Sequence, residues 1–86
     1  MSWNELSWEE KSKRILERDR ICRYCKNAEN LAAHHIKPKR FGGTDKPENL
    51  AAACHKCHRH IDNMYLRYGL RRFDLDLIEE NKRMTI

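Results

Sequence analysis

Four cysteines stand as two equally spaced pairs, Cys22-x2-Cys25 and Cys54-x2-Cys57, in a chain of only 86 residues. No other feature constrains the fold as much. Each pair can turn tightly around a metal ion, and four thiolates close a tetrahedral zinc site. Two disulfides are the rival arrangement, and four cysteines can pair in three ways. The first residues lack the basic start and apolar run of a secretory signal, so a reducing compartment is expected, and zinc with it. A chain this short buries little apolar surface, and a bound structural metal adds folding free energy.

Charge narrows the class of partner. Lys and Arg number 18 against 13 Asp and Glu, a net charge of +5. A small basic domain suits a polyanion, with nucleic acid first, although +5 also lies within the range of ordinary solubility. With 36% charged residues and no apolar run near the ~18 residues of a membrane span, a membrane partner is not expected. The length suits a single domain.

The order of elements can be read from caps and periodicity. Ser7-Trp8-Glu9-Glu10 has the form of a capping box, predicting a helix over residues 8–19. Its apolar face is thin (Trp8, Ile15 and Leu16), and Lys11, Lys13, Arg14 and Arg18 are expected on a solvated face. Residues 21–26 form the first cysteine turn. Residues 31–36 and 50–53 read as short strands, joined by a loop over residues 37–49 that contains Pro38 and Gly42-Gly43. A second helix is predicted over residues 55–68, with Gly69 as its stop. Ile61, Met64, Tyr65 and Tyr68 recur at helical spacing and predict one buried stripe. The tail, residues 70–86, is assigned a helix carried by Leu75 and Ile78, although Phe73, Leu75 and Leu77 would also suit a strand.

The 28 residues between the cysteine pairs hold His34, His35 and Asn49, and His58 directly follows Cys57. Singly, each of these has an ordinary explanation as a surface, capping or turn residue. Their order carries more. Cys22-Arg-Tyr-Cys25, Ala33-His34-His35-Ile36-Lys37-Pro38, Gly42-Gly43-Thr44-Asp45, Asn49-Leu50 and Cys54-His55-Lys56-Cys57-His58 together resemble the HNH endonucleases. More narrowly, they resemble small phage and bacterial members with a four-cysteine structural zinc. The likeness runs from Cys22 to about His60.

The resemblance implies an α+β fold: a small zinc-stapled ββα-metal, treble-clef-like core over residues 21–69. An N-terminal helix over residues 1–20 and a C-terminal tail over residues 70–86 would flank it within one domain. It implies His35 as general base and Asn49 as the residue that holds the hairpin loop and orients the base. It implies His34 and His58 as ligands of a catalytic divalent ion, with Asp62 as an added ligand, and Cys22, Cys25, Cys54 and Cys57 around structural Zn²⁺. The imidazole donors suit Mg²⁺, Mn²⁺, Ni²⁺ or Zn²⁺ as the catalytic ion. Lys37, Lys39, Arg40, Lys56 and Arg59 are expected DNA contacts. The implied activity is metal-dependent hydrolysis of phosphodiester bonds in DNA, double-stranded by expectation, within the cytoplasm of a bacterium or a phage-infected host cell. A chain this small is expected to work with a protein partner or as a homodimer. The alternative is a non-catalytic zinc module that binds nucleic acid or protein. That alternative explains the cysteines and the charge and leaves His34, His35, Asn49 and His58 without a task. A cross-braced double-zinc domain would need eight structural ligands, which the order of residues does not supply.

His34 and His35 pose a geometric problem. Adjacent strand residues point to opposite faces. Both can serve one site only where the strand ends or distorts, which nearby Pro38 permits.

Overall fold

The computed structural model describes residues 2–84. Two antiparallel strands and three helices form a small α+β fold. In chain order they are α1 (Trp8–Asp19), β1 (Leu31–His35), β2 (Leu50–Cys54), α2 (His55–Tyr68) and α3 (Arg72–Arg83). Short 3-10 turns cover Trp3–Glu5, Lys39–Phe41 and Pro47–Asn49. Thr85 and Ile86, part of the expected tail, lie outside the described residues, as does Met1.

Helix α1 starts where Ser7 caps it, the hydroxyl accepting from the Glu10 N–H at 3.2 Å. It stops at Arg20, which turns left-handed (φ 63°) and returns its N–H to the Leu16 carbonyl. The chain then enters the first cysteine turn. There the Lys26 N–H bonds the Cys22 carbonyl, and the Cys25 N–H points at Cys22 Sγ at 3.5 Å. Arg23 N–H donates to the Ala52 carbonyl and ties this turn to β2.

The β1–β2 register pairs Leu31 with Cys54, His34 with Ala51 and His35 with Leu50. All five residues of β2 are buried, because α1 and α2 both pack on the two-stranded sheet. A strand covered this way carries no polar face, and the small side chains of Ala51, Ala52 and Ala53 let the neighbouring elements approach. Ile15, Ile36, Leu50, Ile61 and Leu77 supply the larger core side chains.

The polar part of the interior is a network the sequence does not announce. Asp19, with a side chain fully out of water, accepts from Arg18 Nε (2.6 Å), Arg23 (2.9 Å) and the Ala52 N–H (2.8 Å). Arg18 also reaches the carbonyls of Pro47 and Leu50, so it is not the solvated cation its place on the helix predicts. Its guanidinium reaches carbonyls 29 and 32 residues away. Asn81 of α3 is buried, accepts from Arg23, and donates to the carbonyls of Glu48 and Leu50. Removing one partner of a buried, fully bonded charge cluster costs about 3–5 kcal/mol. Asp19→Ala should therefore lower the unfolding free energy of the zinc-loaded chain, read from urea titration, by that amount. A loss below about 1 kcal/mol, the level of an exposed pair, would mean that the network does not join these elements.

Two expected faces need correction. Ile61 is buried and Met64 and Tyr65 are half-buried, but Tyr68 is 69% exposed, because the last turn of α2 runs beyond what covers the rest of the stripe. In α3, Leu75 is exposed, and the inward face is instead Asp74, Leu77 and Asn81. Asp74 accepts from the Arg71 N–H and guanidinium at the start of that helix, which satisfies its buried carboxylate. Trp8, expected in the core, is half-exposed and stacks on His35.

Candidate active site

The two cysteine pairs come together. The four Sγ atoms lie within 4.8 Å of one another, and Cys25 and Cys54 are 3.5 Å apart. Four sulfurs at ~2.3 Å from a tetrahedral zinc would be about 3.8 Å apart, so the cluster fits that ion. Burial pushes the Cys22 thiol up, but backbone groups of Cys25, Cys54 and Tyr24 outweigh this and bring it down to about 6, which favours a thiolate. Burial raises Cys57 well above the ordinary thiol range, and hydrogen bonding to the neighbouring cysteines adds to the rise.

At the end of β1, an open cleft of about 280 Å³ is lined by His34, His35, Pro38, Lys39, Arg40, His58 and Asp62. His34 is 2% exposed, and neither of its ring nitrogens has a hydrogen-bond partner among the described residues. Such a buried imidazole is costly unless something binds it. Ala51, opposite in the register, leaves room for the ring. His58 stands edge-on to it at 4.9 Å between centroids, and His58 Nε2 is 3.6 Å from an Asp62 carboxylate oxygen. One donor atom from each of His34, His58 and Asp62 falls within 4.8 Å of the others, close enough to share one ion. Burial, then the positive field of His58, drives His34 down to about 4, which keeps it a neutral donor in ordinary buffers.

The adjacent histidines do point apart. His34 faces His58 on α2, and His35 faces Trp8 on α1. Both still line the cleft, because β1 ends at His35 and the chain turns away at Pro38. His35 Nε2 lies 2.6 Å from Asp45 Oδ1. This hydrogen bond to His35 holds the Asp45 carboxyl below the usual carboxylate range, so the carboxylate is the acceptor. Nε2 then carries a hydrogen, and Nδ1 has no hydrogen-bond partner among the described residues.

Asn49 lies outside the cleft wall and works on the loop. Its carboxamide accepts from the Lys37 N–H and donates to the carbonyls of Lys37 and Thr44. The same loop requires Gly43, where a Cβ would fall 1.8 Å from the Lys37 carbonyl oxygen. Among the expected DNA contacts, Lys39 and Arg40 line the cleft, while Lys37, Lys56 and Arg59 do not. Sequence reasoning did not assign a role to Asp45 or Trp8. Asp45 was visible only as the end of Gly42-Gly43-Thr44-Asp45, and Trp8 only as one apolar residue of α1.

A cysteine-clustered α+β fold with a histidine-lined cleft between a hairpin and a helix is a domain whose side chains can hold metal ions at two places. The HNH endonuclease family model matches residues 22–64, half of the chain, and the chain belongs to that family. The family implies a nucleic-acid substrate. No curated protein and no solved structure gives a significant match.

Proposed function

We propose that this chain is a metal-dependent endonuclease that hydrolyses phosphodiester bonds in double-stranded DNA. The carrying observation is His34: a buried imidazole whose two nitrogens have no partner among the described residues, facing His58 and Asp62 in an open cleft. That donor set suits one divalent ion (Mg²⁺, Mn²⁺, Ni²⁺ or Zn²⁺) held apart from the structural zinc of Cys22, Cys25, Cys54 and Cys57. His34, His58 and Asp62 would hold the ion, which would supply Lewis-acid stabilisation of the charge that develops on the phosphate and leaving oxygens.

The chain's own residues do the rest. His35, through Nδ1, takes a proton from the attacking water. Asn49 fixes the loop that carries Lys39, Arg40 and Asp45, so the cations keep their place beside the cleft. Lys39 and Arg40 then meet the phosphates flanking the scissile bond.

The test is relaxation of supercoiled plasmid with each divalent ion added in turn. Wild type should cleave, and His58→Ala should retain one zinc per chain and lose cleavage. If His58→Ala loses its zinc instead, His58 belongs to the structural site. Asp62→Ala should raise the metal concentration needed for half-maximal rate, and an unchanged requirement would remove Asp62 from the ligand set. Binding of plasmid without cleavage under every ion would leave the non-catalytic zinc module as the function.

A further inference from the structure

Trp3 and Trp8 lie outside residues 22–64, yet one contacts the cleft residue His35 and the other contacts its partner Asp45. The indole of Trp8, on the first turn of α1, stacks on the His35 imidazole with centroids 5.0 Å apart and planes within 10°. The indole N–H of Trp3 donates to the Asp45 carbonyl at 2.6 Å, across 42 residues of sequence. Asp45 in turn accepts from His35 Nε2 and also receives Lys39 Nζ at 3.3 Å.

These contacts restrain different freedoms of one ring. An imidazole on a strand end can swing about χ1, turn about χ2, and exchange its proton between two nitrogens. A parallel stack fixes the ring plane. A hydrogen bond at Nε2 fixes the rotation within that plane and the tautomer. The Trp3 bond fixes the backbone that carries the Asp45 carboxylate. Trp8 is 43% exposed, so its large ring is not placed for core burial.

We propose that Trp8 and Trp3 brace His35 and its partner Asp45, holding the imidazole in one orientation and one tautomer with Nδ1 open to the cleft. The significance for catalysis rests on the reading of His35 as the general base. A base accelerates proton transfer only when the accepting atom is already aimed, and a misplacement of about 1 Å can cost roughly 10²-fold in rate. The brace therefore makes the first turn of α1 and the 3-10 turn before it parts of the site. Trp3 and Trp8 are positioning residues, since neither is placed to touch the reacting atoms.

The experiment uses the full zinc-loaded chain, labelled with ¹⁵N at histidine. Long-range ¹H–¹⁵N correlation spectra at alkaline pH report the tautomer of each neutral imidazole, and His35→Ala identifies the His35 signals. Wild type should show His35 as the Nε2–H tautomer alone, with ring protons shifted upfield by the indole. Trp8→Ala should give a mixture of tautomers, and Trp8→Phe, which keeps an aromatic face, should restore the single form. Plasmid cleavage by Trp8→Ala should fall about 10-fold or more in kcat with KM within about twofold of wild type. Trp8→Phe should recover most of that loss. Trp3→Phe, which deletes the indole N–H that bonds the Asp45 carbonyl, should shift the Lys46 amide resonance of a uniformly ¹⁵N-labelled sample, and an unmoved resonance would remove Trp3 from the brace. Zinc content should be unchanged in all three. A wild-type mixture of tautomers, or a Trp8→Ala protein with wild-type tautomer or wild-type kcat, overturns the brace. If wild type cleaves nothing under any metal, the nuclease reading fails, and the tautomer measurement still decides the brace.

Discussion

Removing the structural metal should unfold the whole chain. The cysteines join the segments that hold the fold together. Cys22 and Cys25 end the turn tied to β2 through Arg23 N–H, Cys54 ends β2, and Cys57 sits in the first turn of α2. The apolar cluster around Cys22, Cys54 and Cys57 is small, adding Ala53, Tyr24 and Leu31, and does not include Cys25. Structural zinc contributes apparent binding free energies of about 10–16 kcal/mol in small domains, as large as the entire 5–15 kcal/mol stability of a typical protein. Cys22→Ser or Cys57→Ser should therefore abolish zinc binding and the helical circular dichroism together. Excess chelator should do the same to wild type. The pH dependence follows from the thiols. Zinc must displace protons, most of all from Cys57, whose pKa burial raises. Falling pH returns those protons, so less chelator should be needed to unfold the chain in acid. A native-like, zinc-free Cys57→Ser protein would overturn the structural role of the cluster.

What the sequence discloses follows from the range of the interactions. Helices α1 and α2 are legible because their signals are local: the Ser7 hydroxyl lies three residues from the N–H it caps, and Gly69 lies directly after the last residue of α2. The strands are legible at their ends, where Asn49 and Pro38 break the pattern. The cysteine cluster is legible because spacing alone fixes how each pair can meet an ion. Arg18 is not legible, because a helical wheel shows which face a residue occupies and not that the carbonyls of Pro47 and Leu50 lie within reach of it. Tyr68 fails for a related reason: periodicity marks a stripe and cannot show where its neighbour ends. In α3 the inward polar residues, Asp74 and Asn81, are chosen by partners far along the chain or by the helix start, so an apolar pattern misreads the face.

The site divides in the same way. His34, His58 and Asp62 were placed together by the order of the motif, and the cleft gathers them. The surroundings of His35 were not readable, because Trp8 and Asp45 approach it from opposite directions in sequence, the first 27 residues before and the second 10 residues after. A stack and a hydrogen bond of that kind leave no periodic trace.

Substitution of His35 should slow cleavage and leave the fold and the metal in place. General-base catalysis contributes roughly 10²–10⁴-fold, so His35→Ala should cleave plasmid more slowly by about that factor. The variant should still fold, because His35 is only half-buried and its removal leaves the zinc cluster and the Asn49-bonded loop untouched. Zinc content and DNA affinity should match wild type, which separates loss of chemistry from loss of structure. The pH profile adds a second reading. A rising limb in the wild-type rate that belongs to the base should be absent in His35→Ala. Protonation of the ligand His34 would also depress the rate in acid, since a protonated imidazole cannot donate to a metal. Burial lowers His34 to about 4, below the ~6.5 of a free imidazole. The sign follows: its neutral, metal-binding form persists down to that acidity, and ligand loss enters only as the pH falls through it. Saturating metal should offset that loss and leave the base limb in place. Near wild-type cleavage by His35→Ala at saturating metal would remove His35 from the mechanism, even if the chain remains a nuclease.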